Sequence, residues 1–306
     1  MTLPPNRIDR RSRGFIVVAV LWILAALSAL VLIYMTFVTN TAVVVAASSE
    51  RVQTDALVSA GIELAAYQLT AVRQEARPSS GTFNARLGTA RVFVTFRSEA
   101  ARIDLNAAPK GLLAGLMIGL GVTPSNAADY ADRIVAWRAP SEAGEDDPET
   151  SSYRTAGIAW APRHAPFPVA EELWLVRGIP PAVIERMLPY VTAFSNMPSI
   201  NIADAAPQVV AALPGMTPEL LQAVLVQRSD PRTDPRTLPA LVGGEVATLA
   251  ASRAWRISVT IDLDNGRRSS AEAVILLLDE GDEPYRVLSW RNAADGSTAP
   301  QRSAAR

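Results

Sequence analysis

The 306-residue sequence contains no cysteine and a single histidine, His164. Without cysteine there is no disulfide, no thiolate nucleophile and no sulfur-ligated metal, and the redox character of the compartment leaves no mark on the chain. One imidazole excludes every site that needs two, which removes most zinc-hydrolase constellations. Excess charge is missing too: 29 Lys and Arg face 30 Asp and Glu. Bulk composition therefore gives no electrostatic reason to expect a nucleic-acid partner. No glycine-rich phosphate loop is present, and the composition leans away from an enzyme. The length suffices for one large domain or two modest ones behind an anchor.

The most informative absence is local, because no charged residue occurs between positions 14 and 49. Residues 15–38 are almost wholly apolar, and a membrane-crossing helix needs about 20 such residues. Arg7, Arg10, Arg11 and Arg13 precede them against Asp9 alone. Such a basic flank is expected to stay cytoplasmic, with everything after about residue 40 on the other side. Three readings compete. A cleaved secretory signal carries an apolar region of only ~7–15 residues, so this core is too long for one, although Ala46-Ala47-Ser48 mimics a cleavage site. A plain uncleaved anchor is the second. The third rests on the junction Arg13-Gly14-Phe15, where cleavage would leave the apolar helix as the mature N-terminus. That junction resembles the leader of type IV pilins and pseudopilins, cut after glycine on the cytoplasmic side by a prepilin peptidase.

Beyond the apolar run the spacing stays helical. Val43, Val44, Ala47, Val52, Ala56, Leu57, Ala60, Ile62, Leu64, Ala65 and Leu69 recur at helical intervals up to the breaker cluster at 77–81. A helix of around 60 residues exceeds the usual globular length, and one half greasy, half amphipathic suits a subunit packing its neighbours in a filament. Residues 90–97, 255–262 and 270–278 alternate as strands, with an Asp264-Asn265-Gly266 turn between the last two and a short strand expected at 285–291. Between these, 104–250 is helical and punctuated by proline and glycine. Ile103-Asp-Leu-Asn-Ala-Ala-Pro109 returns as Ile200-Asn-Ile-Ala-Asp-Ala-Ala-Pro207. In both, a short polar residue ahead of proline is expected to cap a helix. Residues 171–188 and 209–225 each read as helix, tight turn, helix. DNA-binding hairpins of this kind present Gly-x-Gly amides to a phosphate. These copies instead have Gly178-Ile-Pro180 and Gly215-Met-Thr217, and a proline supplies no amide. Residues 104–250 hold 10 Lys and Arg against 16 Asp and Glu, a net charge that repels phosphates. The hairpins are packing units, and nucleic acid is excluded as a partner.

Taken in order, the leader, 59–67, 103–109, 134–138 (Ile-Val-Ala-Trp-Arg), 153–157, 165–167, 171–178, 201–207, 213–215 and 285–290 resemble the minor pseudopilin K family of type II secretion systems. The resemblance implies an α+β, pilin-like fold: a long N-terminal transmembrane helix, a small antiparallel sheet and a large inserted all-α domain with helix-hairpin-helix-like units. In this chain that divides into a leader (1–14), the transmembrane half (15–38) and periplasmic amphipathic half (39–77) of the long helix, a sheet domain (82–103 and 251–291), an inserted helical domain (104–250) and a disordered tail (292–306). It further implies a single pass through the inner membrane, N-terminus cytoplasmic and body periplasmic. The place implied is the tip of the pseudopilus, where the subunit initiates the filament and supports export of folded periplasmic proteins. Implied partners are the I and J minor pseudopilins, the major pseudopilin, the inner-membrane secretion platform and the prepilin peptidase, with Gly14 and Phe15 flanking the cut. Counted from Phe15, the fifth residue is Ala19, where most pilins carry a glutamate that pairs with a neighbour's N-terminal amine inside the lipid. A subunit with nothing stacked above it has no need of that carboxylate, and the K family shares the omission.

Chemical sites are few. Glu145, Asp146, Asp147 and Glu149 form an acidic loop of the oxygen-ligand type that suits Ca²⁺, and the resemblance implies calcium in the insert. Where many relatives carry aspartates after the Trp-Arg pair, however, this chain has Ala139-Pro140-Ser141, which removes ligands; a solvated charge run is the alternative. Adjacent Glu171 and Glu172 diverge on a helix and are expected at its surface. His164 has no nucleophile or base partner and is expected as loop decoration, and Trp174, among Leu173, Leu175 and Val176, as core. Catalytic residues are expected to be none. The rival to a structural assembly protein is a membrane-anchored periplasmic enzyme or ligand-binding protein, which a convergent polar pocket would favour.

Overall fold

The computed structural model describes residues 11–140, 148–230, 232–242, 246–281 and 283–292. Residues 1–56 and 57–306 form two compact units, taken here in turn. Helix α1 runs Arg11–Thr70; no proline interrupts the sequence between residues 6 and 77, so no backbone donor is lost along it. In its first unit, Val17–Phe37 has a mean hydropathy of 2.7 and none of that stretch is buried. This one helix is long and apolar enough to cross a membrane.

The second unit begins on the last turns of α1. Val58, Ile62, Ala65, Ala66 and Leu69 are buried at helical spacing, one stripe facing a sheet. The α-helix stops at Thr70, short of the breaker cluster, and continues as a 3-10 turn at Gln74–Ala76. There the Arg77 Nε donates to the carbonyls of Leu69 (2.9 Å) and Val72 (3.2 Å), satisfying acceptors that a helix end leaves open. Strands β1 (Ser80–Leu87) and β2 (Ala90–Ser98) follow as a hairpin. Strand β1 is an addition to the sequence expectation.

The chain then leaves the sheet for the helical body. In order come β3 (Ile103–Asp104), α2 (Lys110–Gly119), α3 (Pro124–Arg138), α4 (Pro148–Thr155), a 3-10 segment Ala170–Leu175 and α5 (Pro181–Met187). They are followed by β4 (Val191–Thr192), β5 (Ile200–Asn201), α6 (Pro207–Ala211), α7 (Pro218–Ser229), α8 (Leu238–Leu241) and β6 (Ala247–Thr248). Return to the sheet brings β7 (Ala254–Asp262), β8 (Arg268–Leu277) and β9 (Tyr285–Asn292). The five long strands form one antiparallel sheet in the order β1-β2-β7-β8-β9. The architecture is therefore α+β, with a large helical insertion between two strands that are themselves neighbours. The tail from 293 onward lies outside the described residues.

Alternation decides what the sheet faces. Along β2, Ala90, Val92, Val94 and Phe96 are buried while Arg91, Phe93, Thr95 and Arg97 are exposed. The buried set joins Trp255, Ile257, Val259, Ile261 and Ile275 under α1 in one apolar cluster. Gly61 permits the approach: a Cβ there would lie 2.9 Å from the Val259 Cγ1 and 3.3 Å from the Val92 Cγ1. The body has its own core, built on Leu112, Leu113, Leu116, Ile134, Trp137, Leu173, Ile184, Val209 and Val210 among others.

The repeated Ile-Asx segments have a common design, though it differs from the expected helix cap. Each forms a two-residue parallel pairing, β3 with β4 and β5 with β6. The polar residue then turns the chain: Asp104 Oδ1 accepts from the amides of Asn106 (2.7 Å) and Ala107 (3.0 Å), and Asn201 Oδ1 from Ala203 (3.0 Å). The helices after them have Pro109 and Ala206 at the cap position, with no side-chain cap bond. Asp104 and Asn201 sit several residues too early to cap; their geometry is that of a turn.

Candidate functional site

Gly14 and Phe15 fall in the opening turns of α1, and Ala19 lies one turn further on, half-buried within its unit. Phe15 is 76% exposed, and Val17, Val18, Leu21, Trp22, Leu32, Ile33 and Phe37 are all more than half exposed. Exposed apolar side chains occur on every side of this segment, the pattern of a helix surrounded by lipid or by other helices.

Of the expected calcium ligands, Glu145, Asp146 and Asp147 lie outside the described residues. Glu149 stands in the first turn of α4, 3.9 Å from the Arg133 Nη1. Among the described residues no group of three or more His, Asp or Glu converges on a point that could hold a metal ion.

Three single-residue expectations change. Glu172 is buried, where its Oε1 accepts from the Trp137 Nε1 (3.0 Å) and the Arg163 Nε (2.6 Å); only Glu171 is at the surface, paired with Arg291 at 3.0 Å. Trp174 is 43% exposed, because 170–175 winds as a 3-10 helix and its tighter turn gives the core to Leu173 and Val176. His164 is no decoration. Its Nδ1 donates to the Ala139 carbonyl (3.1 Å) and its Nε2 bonds the Thr150 hydroxyl (3.0 Å), so it ties the end of α3 to α4. His164 also takes a positive φ of 53°.

The motifs that carry the family resemblance converge in the body. Arg138 donates to the carbonyls of Leu105 and Ala108. Asn106 pairs with the Phe167 backbone in both directions, Phe167 N to Oδ1 at 2.7 Å and Nδ2 to the Phe167 carbonyl at 3.0 Å. Trp137 lies against Tyr153 and Phe167, with centroids 6.0 and 6.2 Å away. Asp104, 1% exposed, accepts four hydrogen bonds, the last two from the Ser195 hydroxyl and the Asn196 amide. Burial lowers the Arg138 pKa, and Asp104 opposes that shift. Every polar group here is spent on holding segments distant in sequence together.

A third hairpin escaped sequence inspection although its signal was present. Gly121, Gly178 and Gly215 all have positive φ (88°, 82° and 74°), and each precedes by three residues the proline that opens the next helix: Pro124, Pro181 and Pro218. Only glycine takes that turn without strain, and proline suits the first helical position. The Gly-x-x-Pro spacing thus marks all three helix-to-helix joints.

On the face of the sheet away from α1, two neighbouring cavities of about 290 and 240 Å³ lie between the strands and the body. They share Arg102, Pro189, Arg256 and Glu272. Glu99, 1% exposed, accepts from the Arg256 Nε (2.7 Å) and Nη2 (3.1 Å) and from the Thr192 hydroxyl, and Arg256 also pairs with Glu272. Burial acts to lower the Arg256 pKa, but Glu99 and Glu272 overcome it and the pKa is raised. Both carboxylates are thus committed to Arg256, and Glu99 also to the Thr192 hydroxyl.

Residues 95–196 match the family model "Type II secretion system (T2SS), protein K". The fold is similar to a chain of the crystal structure of the GspK-GspI-GspJ complex from the enterotoxigenic Escherichia coli type 2 secretion system. That similarity has a TM-score of 0.54 at 19% identity and covers 79% of this chain and 95% of the other. No curated protein sequence matches significantly.

Proposed function

We propose that this chain, matching the protein K family of type II secretion over residues 95–196, is a minor pseudopilin: a structural, non-catalytic subunit that assembles with other minor pseudopilins at a pseudopilus tip. The observation that carries the reading is the co-occurrence of two features in one fold. One is a 60-residue N-terminal helix whose apolar segment is exposed. The other is a five-stranded sheet interrupted by a helical body of the protein K type. A helix exposing so much apolar surface is made for lipid and for lateral contact with like helices, and the similar chain belongs to a structure of a GspK-GspI-GspJ complex.

On this reading, leader removal between Gly14 and Phe15 makes Phe15 the mature N-terminus, and residues 15–38 cross the inner membrane with the basic leader cytoplasmic and the body periplasmic. Ala19 leaves the lipid-embedded segment without the carboxylate that a subunit stacked above would engage, since an unpaired charge there is costly. Partners of I and J type come first; the major pseudopilin, the inner-membrane platform and the prepilin peptidase follow from the same role. The test is co-purification of the full chain with I- and J-type minor pseudopilins, together with mass spectrometry of the mature N-terminus. A ternary complex and a chain beginning at Phe15 are expected. An intact chain that ignores both partners refutes the proposal.

A further inference from the structure

The double cavity beside the sheet contains a charge the fold does not use. Arg97, Arg102, Arg256 and Arg291 line it, against Glu99, Glu171 and Glu272. Arg256 takes Glu99 and Glu272, and Arg291 takes Glu171. Arg97, which is exposed, and Arg102 are left over; Arg102 is half-buried, its guanidinium makes no hydrogen bond or ion pair with any described residue, and it is one of the four residues common to both cavities. Burial, then the nearby Arg256, lower its pKa from the ordinary arginine value, with Glu99 and Glu272 acting against them. A cation withdrawn from water beside another cation is unfavourable unless something pairs with it.

We infer that this cleft is a docking site for an acidic segment of a partner protein, whose Asp or Glu carboxylate pairs with Arg102 while the chain runs through both cavities. Guanidinium is the side chain suited to a two-point grip on a carboxylate. The lining carries four arginines against three glutamates, a surplus of one positive charge that a single carboxylate neutralises and a doubly charged phosphate exceeds. Its walls also favour a peptide: Leu188, Pro189, Tyr190, Phe194 and Val209 offer apolar surface beside the charges. The inference stands on the cleft alone and holds whichever complex the chain enters, so its failure would leave the family assignment and the assembly role intact.

The test uses the full chain in detergent micelles and a capped Gly-Leu-Glu-Leu-Gly peptide, with its Gln counterpart and inorganic phosphate as controls. The Nε–H resonance of Arg102 is expected to shift on adding the Glu peptide. Affinity should fall at least tenfold for the Gln peptide and for the Arg102→Gln chain, and phosphate should not displace the peptide at equal concentration. Equal binding of the Gln peptide, displacement by phosphate, or no shift of Arg102 overturns the proposal. Thermal melting separates a docking role from a structural one. Because Arg102 pairs with nothing in the fold, Arg102→Gln should melt at or above the wild-type temperature, and a melting point several degrees lower would equally overturn it.

Discussion

Gly115 gives the sharpest test of how the body is packed. It lies inside α2, where alanine would ordinarily stabilise the helix by about 1 kcal/mol through backbone entropy. Here, however, an added Cβ would sit 2.2 Å from the Ala212 carbonyl oxygen and 3.1 Å from its carbonyl carbon, just beyond α6. The obstacle is backbone, so no rotamer can yield, and relief requires the two segments to part by about 1 Å to reach normal contact. Overpacking of this kind costs about 1–3 kcal/mol, with backbone clashes at the upper end. The net loss for Gly115→Ala is thus about 2 kcal/mol, or a melting point lower by about 4–8 °C at the size of the second unit. Gly119, at the end of the same helix, has nothing within 4 Å of its would-be Cβ. Gly119→Ala should leave the melting point unchanged or raise it by about 1–2 °C. Tryptophan fluorescence of the full chain on heating measures both. A Gly115→Ala chain that melts at or above wild type would show that α2 and the 212 segment are not in backbone contact.

Three further outcomes follow from other parts of the chain. Glu99→Gln removes the charge that holds Arg256 at the buried junction and should cost about 3 kcal/mol, read as a lower urea midpoint at unchanged slope. Tyr285 donates to the Glu63 Oε1 at 2.7 Å, and burial followed by that carboxylate raises its pKa to about 12. Because the folded value exceeds the ordinary 10, the unfolded chain loses this proton first, and stability from this group falls as pH rises from about 10 to 12. Tyr285→Phe should flatten that part of the pH–stability curve, and an identical slope would remove Tyr285 as the cause. Gly14→Val should block leader removal, so mass spectrometry would find the N-terminus ahead of Phe15; normal maturation would count against cleavage at that junction.

What sequence inspection could and could not see follows from the range of each interaction. The stripe Val58, Ile62, Ala65, Leu69 and the alternation of β2 and β7 are local patterns, visible within a dozen residues. Strand β1 was hidden because its inward positions, Gly81, Phe83, Ala85 and Leu87, are only half-buried at the sheet edge and begin on a glycine. Glu172 was hidden for a different reason. Its partners Trp137 and Arg163 lie 35 and 9 residues away, and no spacing rule links them. Trp174 misled because an apolar neighbourhood says nothing of helix type, and 3-10 winding rotates residues out of the face an α-helix would bury. Arg102 was equally invisible, since an unpaired cation is defined by the partners that fail to reach it. The third Gly-x-x-Pro joint, by contrast, was legible and could have been found by comparing the other two.

The insertion itself has a simple physical logic. Strands β2 and β7 pair residue for residue from Arg91 with Asp262 to Ser98 with Trp255, the register of an ordinary hairpin. The chain departs after Ser98 and is back at Ser252, whose hydroxyl lies 3.0 Å from that of Ser98 and whose amide donates to the same oxygen at 2.8 Å. The whole helical body is therefore the loop of a meander whose ends are pinned together, and loop-closure entropy grows only slowly with loop length. Such a loop needs its own core to remain ordered, which the 103–109, 134–138 and 165–178 segments supply. It also needs a joint that fixes its orientation to the sheet. Glu99, one residue past the departure point, gripping Arg256 on β7 and Thr192 on β4, is that joint. The cleft around Arg102 lies at the same place, lined by Glu99, Thr192 and Arg256 themselves.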